Sequence, residues 1–342
     1  MGWLRFGLGM LAAAVFLGIV PFAEAKDALV KITISVPGPR NLSYLPIDLI
    51  PRIGADREEG AEVRLLPQGG GGMALQELVF RNSDFAVAGM PAVMSQRVRG
   101  APVVSLAAVD DLPLFVLMVR ADLRDQVRSV ADLSGRVIGV NSSSLTSKTT
   151  SQQLAELLLR SSGVSLDNVR FSAAGQSWAE QSSIVESATA DAIMGDEPFA
   201  SRLLEEGKIF FLANLSDPET TRTIPGAGFL HAVLNTREEM VQTDPDKVAR
   251  MVRILRRSLE WIARHSPEEV VAALGPTDEV EKAYFIKCLS RYRRLYSPDG
   301  AFSKRQLEET EQFFKSSSAG ADDIAKFKIE SIVVDRWVGR KE

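Results

Sequence analysis

The sequence predicts an α/β protein built on largely parallel sheets, and three observations carry that expectation. Short apolar runs recur along the first half of the chain, as "DFAVAG", "APVVSLAAV" and "LPLFVLMV". The last two are nearly continuous in apolar residues, as strands covered on both faces are. Between such runs lie stretches with helical spacing, "MALQELVF" among them, and this alternation is the pattern of a layered α/β fold.

The first 25 residues are expected to lie outside that fold. Arg5 supplies a positive start, "FGLGMLAAAVFLGIV" an apolar centre, and "AEA" (Ala23 to Ala25) a small-x-small cleavage site before Lys26. Those are the three parts of a secretory signal peptide. The apolar run is shorter than the roughly 20 residues a membrane span needs, and Pro21 interrupts its end. No Cys lies near the site, which excludes a Cys-linked lipid anchor. Cleavage leaves 317 of the 342 residues, length for about two domains.

Composition narrows the function classes. A formal charge of −4 suggests no nucleic-acid surface. Cys288 is the single Cys, so the chain has no internal disulfide, and a periplasm is the simplest compartment. His231 and His265 are the only two His, without a second ligand at metal spacing, so no zinc or copper site is expected.

Each element follows from local pattern. "KITISV" (Lys31 to Val36) alternates polar and apolar residues and reads as a half-buried strand. "AEVRLL" alternates less cleanly. In "SVADLSGRVIGV", Ser129 precedes Asp132 by three, a capping pattern for a short helical turn before a strand. From Gln152, Leu154, Leu157 and Leu158 share one helix face, and Gly163 is a C-terminal stop. "DNVRFSA" and "ADAIMG" read as strands. After Leu230 the chain is expected to be mostly helical. Asp244 and Pro245 start one helix, and Ser266, Pro267, Glu269 and Gly275 bound another. The basic run Arg291, Arg293, Arg294 reads as a solvated helix face.

Several catalytic signatures are missing. There is no phosphate-binding Gly-x-x-x-x-Gly-Lys-Ser/Thr, no Gly-x-Ser-x-Gly elbow and no His-Glu-x-x-His. Two His residues leave a Ser-His-Asp triad little to draw on. "GGGG" (Gly69 to Gly72) lacks the dinucleotide fingerprint. It is either a flexible turn or a loop that lets backbone approach a ligand.

Four stretches carry binding chemistry. "SSSLTSKTTSQQ" (Ser142 to Gln153) sets eight hydroxyl residues at a helix start. Unpaired N–H groups and about half a unit of positive charge there can hold an anion. Ser147, Thr149, Thr150 and Ser151 add hydroxyls; Lys148 either adds charge or points into solvent. The bland alternative is an over-capped helix. In "NLSYLP", Asn41, Ser43 and Tyr44 follow the first strand, where open α/β sheets bind ligands; otherwise they cap the next helix. In "AGMPA", Gly89 permits close approach and Met90 adjoins it. In "MGDEP", Asp196 and Glu197 either accept hydrogen bonds from a solute or cap "FASRLLEEG". Trp178 either stacks on a planar ligand or belongs to the core. Arg40 is a second, weaker candidate cation.

In order and spacing, the leader, "SYLPIDLIPRIGADREEGAEVRLLPQGGGGMALQELVFRNSDFAVAG", "SVADLSGRVIGV", the hydroxyl-rich helix start and "ADAIMGDEP" resemble the nitrate/sulfonate/taurine-type solute-binding proteins of ABC importers. That group includes binders of thiamine-pyrimidine precursors. The resemblance covers nearly all the chain after the leader. It implies a type II periplasmic binding fold: two α/β lobes joined by a two-crossing hinge, with a ligand cleft between them. Residues 27–115 would form lobe one, 116–229 lobe two, and 230–342 would return to lobe one and add C-terminal helices. It places the family's Ser/Thr helix start on Ser147 to Ser151, its strand loops on Asn41 to Tyr44 and Gly89 to Pro91, and its Glu-Pro on Glu197 and Pro198. The sequence departs in having Lys148 where the family often has Gly-Ser, which bears on how close the backbone can come to an anion.

The function this implies is periplasmic capture of a small polar, anionic organic solute for a permease and its ATPase. A monomer without cofactor, metal or catalytic residue is expected. The alternatives are a ligand-sensing input to a membrane signalling partner, or a pyrimidine-precursor synthesis enzyme on a related fold. That enzyme branch uses a Cys-rich stretch and His residues, and this chain has one Cys.

Overall fold

The structure, a computed structural model, describes Met1 and residues 28–342, apart from 39, 143–148, 225, 276–277 and 318–321. The expected leader, Ser147 and Lys148 lie outside the described residues.

Two five-stranded sheets organise the chain. The first takes β1 (Val30–Pro37), β2 (Ala61–Gln68), β3 (Phe85–Gly89) and β4 (Val103–Ala108). The chain then crosses to a second sheet of β5 (Phe115–Arg120), β6 (Val137–Val140), β7 (Arg170–Ala173), β8 (Ala192–Asp196) and β9 (Ile209–Asn214). It returns to the first sheet as β10 (Ala232–Arg237). The strand orders are β2-β1-β3-β10-β4 and β7-β6-β8-β5-β9. In each sheet one strand is antiparallel to both its neighbours: β10 lies against β3 and β4, and β5 against β8 and β9. Each is the strand that begins just after a crossing.

Both sheets are covered on two faces, as the continuous apolar runs require. Ile32, Ile34 and Leu234 of the first sheet pack with Ile47, Val248 and Leu255. Its other face packs Ala86 and Val233 on Leu75, Leu78, Val93 and Phe314. The second sheet buries Ile138 and Met194 against Leu154, Leu158 and Phe313. Its opposite face buries Met118 and Ile193 with Ala200 and Leu203. The helix Lys304–Ser317 touches both lobes: Phe313 stacks on Phe229 at 4.6 Å, while Phe314 enters the first lobe's core.

Local starts and stops follow the sequence. Ser129 and Asp132 form a capping box, as do Ser266 and Glu269, and Asp244 accepts the Lys247 N–H ahead of a long helix (Pro245–Arg264). Two readings change. "KITISV" is buried on both faces toward its end: Ser35 is fully buried, its hydroxyl bonded to Ala74 O and Ser83 Oγ. Satisfied hydrogen bonds let a polar residue occupy that position. Within the stretch expected to be mostly helical, β10 runs through the first sheet with every residue buried. Its polar half hid it. Asn235 Oδ1 accepts from Ser105, Thr236 Oγ1 donates to Asp84 O, and Arg237 Nη1 donates to Leu78 O and Ser83 O. Among the described residues no helix is long and apolar enough to cross a membrane.

Candidate functional site

The two lobes face each other across a cleft that narrows to a cavity of about 20 Å³. The first sheet's side contributes Asn41, Tyr44, Gly71, Gly89, Ala92 and His231. The second contributes Phe115, Asn141, Thr149, Thr150, Ser151, Gln176 and Asp196. That volume holds little more than a water molecule, so entry of an organic solute requires the lobes to part.

Asn41 spans the gap. It sits directly after β1 and caps the short turn Leu42–Tyr44, its Oδ1 accepting the Ser43 N–H at 3.0 Å. Its Nδ2 donates across the cleft to Gln176 Oε1 at 3.1 Å and Asp196 Oδ2 at 2.9 Å. Gln176 Nε2 donates to Asn141 O at 2.6 Å, and Gln181 Nε2 to Asn141 Oδ1 and Asp196 Oδ1 at 3.1 and 3.3 Å. Asp196 ends β8 and is buried. Burial lifts its carboxyl above the usual carboxylate range, against hydrogen bonds from Asn141, Gln181 and Asn41 that pull it down.

The helix Thr150–Ser161 points its start at this cavity. Thr149 is its N-cap, accepting the Gln152 N–H at 3.4 Å. The Ser151 hydroxyl accepts the Asn141 N–H at 2.8 Å and lies 3.0 Å from Thr149 Oγ1. Gly89 faces it from the other lobe. A Cβ there would overlap Thr150 Oγ1 and come within 3.1 Å of His231 Cδ2. The glycine therefore sets how closely the lobes approach.

His231 and Asp110 tie the two crossings together. Asp110 lies on the outward crossing and His231 on the return. Asp110 Oδ2 is 3.0 Å from His231 Nδ1, and Oδ1 accepts the Ala232 N–H at 2.7 Å. The imidazole meets Phe115 edge-on at 4.8 Å, with Tyr44 at 5.8 Å and Phe229 at 6.1 Å. Burial raises the Tyr44 phenol well above its usual value, and the Asp110 and Asp196 charges add to that.

Of the residues singled out in the sequence, Asn41, Tyr44, Gly71, Gly89, Thr149, Thr150, Ser151 and Asp196 line this cavity. Ser43 is buried behind Asn41, and Met90 is fully buried in the first lobe's core. Glu197 takes the capping alternative, accepting the Ser201 N–H and hydroxyl at 3.0 and 2.8 Å. Trp178 lies in a separate rim pocket beside Arg202, whose guanidinium sits 3.6 Å over its ring. Arg40 is engaged with Glu281 at 3.0 Å. Sequence reasoning passed over His231, Phe115, Asn141 and Gln176 as site residues. In the sequence His231 offers itself only as a metal ligand or a triad member, and no group of metal-holding side chains occurs among the described residues. Asn141 has a usable signal, since it directly follows the predicted strand "RVIGV" and precedes the hydroxyl run.

Residues 57–270, more than half of the chain, match the family described as NMT1/THI5 like. The chain belongs to the NMT1/THI5-like family. Among solved structures, a protein of Bordetella bronchiseptica RB50 superposes with a TM-score of 0.81 at 21% identity, covering 92% of this chain and 96% of that one. The alkanesulfonate-binding protein SsuA of Xanthomonas axonopodis pv. citri, bound to MOPS, gives 0.69 at 15%, covering 91% and 99%. YtlA of Bacillus subtilis (strain 168), whose name marks it as a candidate binding protein, is 20% identical over 322 residues, 90% of this chain and 89% of YtlA. The NMT1/THI5-like chain thus has the two-lobed α/β type II fold of periplasmic binding proteins.

Proposed function

We propose that this protein captures a small polar organic solute in the periplasm and delivers it to an ABC permease and its ATPase. The solute places an anionic group at the start of the helix Thr150–Ser161. Residues 27–115 with 230–342 act as one lobe and 116–229 as the other. The two crossings act as the hinge, after removal of residues 1–25. The work done is capture, closure and release to the permease, without catalysis.

One observation carries this reading. Asn41 of one lobe hydrogen-bonds Gln176 and Asp196 of the other around a cavity at the start of a donor-rich helix. A site shared between two lobes couples binding to closure, because the full set of partners exists only when the lobes meet. The likeness to SsuA, a named alkanesulfonate-binding protein, supports the same reading.

A thermal-shift screen of residues 26–342, unfolded and refolded to strip carried solute, tests it against sulfonates, nitrate, aromatic carboxylates and pyrimidines. A ligand at a hundred times its dissociation constant stabilises by about 2.7 kcal/mol. For a chain of this size each kcal/mol raises the melting temperature by roughly 2–4 °C or less. The response is expected to disappear when Thr149 and Thr150 are both replaced by Ala. Turnover of a substrate by the purified protein would overturn the proposal.

A further inference from the structure

A second pocket lies on the first lobe, against the outward crossing, and shares no lining residue with the cleft. Its volume is about 590 Å³, within the range that holds small organic ligands. Leu259 and Ile262 of the helix Pro245–Arg264, Val270 of the helix Pro267–Ala273 and Leu289 of the helix Glu279–Arg291 line it. Tyr292 and Tyr296 join them from the segment that follows. Each tyrosine bonds its hydroxyl elsewhere: Tyr296 donates to Leu42 O at 2.7 Å, and Tyr292 to Glu197 Oε1 at 3.4 Å. The two rings therefore present apolar carbon to the pocket and are held in place by their far ends.

The edge of this apolar pocket is basic. From sequence the run Arg291, Arg293, Arg294 reads as a solvated helix face. The helix instead ends at Arg291, and the turn after it brings Arg293 and Arg294 to the pocket. Both are exposed, and neither has an ion-pair partner among the described residues. On the neighbouring helix, by contrast, Arg253 and Arg257 are both paired with Glu59. Asp111, on the outward crossing, is the one acidic residue of the lining. Burial lifts its carboxyl to about 6, with the Lys341 charge holding it down and the Asp110 and Asp299 charges adding to the rise. His265 is stacked on Trp261 at 3.9 Å, its Nδ1 2.7 Å from Trp261 O. Two guanidinium groups against one carboxylate leave the rim positive.

We propose that this pocket is a second ligand site, which takes a free amphipathic anion. An apolar chain or ring of medium length lies against the leucines, Val270 and the two tyrosine rings. A carboxylate, sulfonate or phosphate head sits on Arg293 and Arg294. Covering the apolar wall removes it from water. The head meets planar guanidinium forks, which bind such oxyanions two hydrogen bonds at a time. A neutral body of the same shape gains only the first of these terms, and a cationic one is repelled at the rim.

Calorimetry on residues 26–342 tests this with decanoate and octanesulfonate, each below its micelle-forming concentration, against decanol and decylammonium. The anions should bind one to one, and about tenfold or more tighter than decanol or decylammonium, as hydrogen bonds to charged groups allow. The double variant Arg293→Gln, Arg294→Gln should remove that advantage and leave decanol binding as it was. Failure of both anions to bind, equal binding of all four probes, or a preference that survives loss of both arginines would overturn the inference. Retention on anionic phospholipid vesicles without binding of the free anions would also overturn it, by making the basic rim a membrane contact. The head-group comparison is made on the unaltered protein, so it stands even where the variant fails to fold. None of these outcomes depends on whether the cleft captures a solute.

Discussion

The two lobes share a strand order and differ in what they bring to the cleft. In each, a parallel trio flanks an antiparallel strand that has just crossed from the other lobe. The loop after the first strand of the trio yields Asn41 and Tyr44 in one lobe and Asn141 and Thr149 to Ser151 in the other. The third strand of the trio ends at Gly89 in one and at Asp196 in the other. Lobe one thus offers the Tyr44 ring, an imidazole, bare backbone and the Asn41 amide, while lobe two offers hydroxyls, amides, a carboxylate and the Phe115 ring. The same topology is divided into a close-fitting wall and a hydrogen-bonding wall. On the proposed capture reading, charge recognition falls to lobe two, and Gly89 of lobe one governs how tightly the cleft shuts.

The buried carboxylates give the largest expected effect. Lobe one directs Asp48 at its own loop, where it accepts the Arg40 N–H at 3.0 Å. Burial raises its carboxyl from 3.8 to about 7, with the backbone bond and the Arg52 and Arg40 charges partly offsetting. The folded chain therefore holds a proton that the unfolded chain releases between about pH 4 and 7. Stability from this group is complete below pH 4 and is lost as pH rises to about 7, on the order of 4 kcal/mol in total. Asp48→Asn should flatten that slope and raise the melting temperature at pH 8. Urea and thermal unfolding of both proteins from pH 4 to 8 check it. Parallel profiles would show that Asp48 is as well solvated as any surface carboxylate.

Gly89 gives the next effect, and it acts on the meeting of the lobes. Gly89→Val places methyl groups where Thr150 of lobe two now stands. Overpacking of this kind costs about 1–3 kcal/mol, which weakens binding by roughly 5- to 150-fold, since about 1.4 kcal/mol is tenfold. Small-angle scattering should show a more open particle while circular dichroism stays native. A compact particle with undiminished affinity would mean that lobe one does not set closure.

The division between the lobes explains what could be read from the sequence. Strands such as β3, β4 and β8 announce themselves because they are apolar and short, and the helix at Thr150 announces itself through its cap. β10 does not, because its Asn235, Thr236 and Arg237 are satisfied by Ser105, Asp84, Leu78 and Ser83, partners 130 to 159 positions away. His231 is hidden for the same reason, since Asp110 lies 121 positions earlier. Local pattern exposes elements that complete themselves locally. It cannot expose a polar residue whose partner comes from a distant part of the fold.

Trp178 gives the smallest expected effect and the finest test of where the cleft ends. From sequence it is either a stacking platform or packing. Its ring here carries the Arg202 guanidinium at 3.6 Å on one side and tilts against Phe199 at 6.4 Å. Tyr284, from the helix Glu279–Arg291 packed on lobe one, stands 6.0 Å from the same guanidinium. The arrangement closes the rim by pairing a cation with two rings, and such a contact is worth about 0.5–1 kcal/mol where water reaches it. Trp178→Ala and Arg202→Ala should each weaken solute binding by no more than about fivefold. Because both variants remove one contact, the double variant should lose little beyond either single one. A Trp178→Ala loss far exceeding that of Arg202→Ala would place the ring against the solute. The hydrogen-bonding wall of lobe two would then extend past Gln176 to the rim, and the aromatic surface would no longer belong mainly to lobe one.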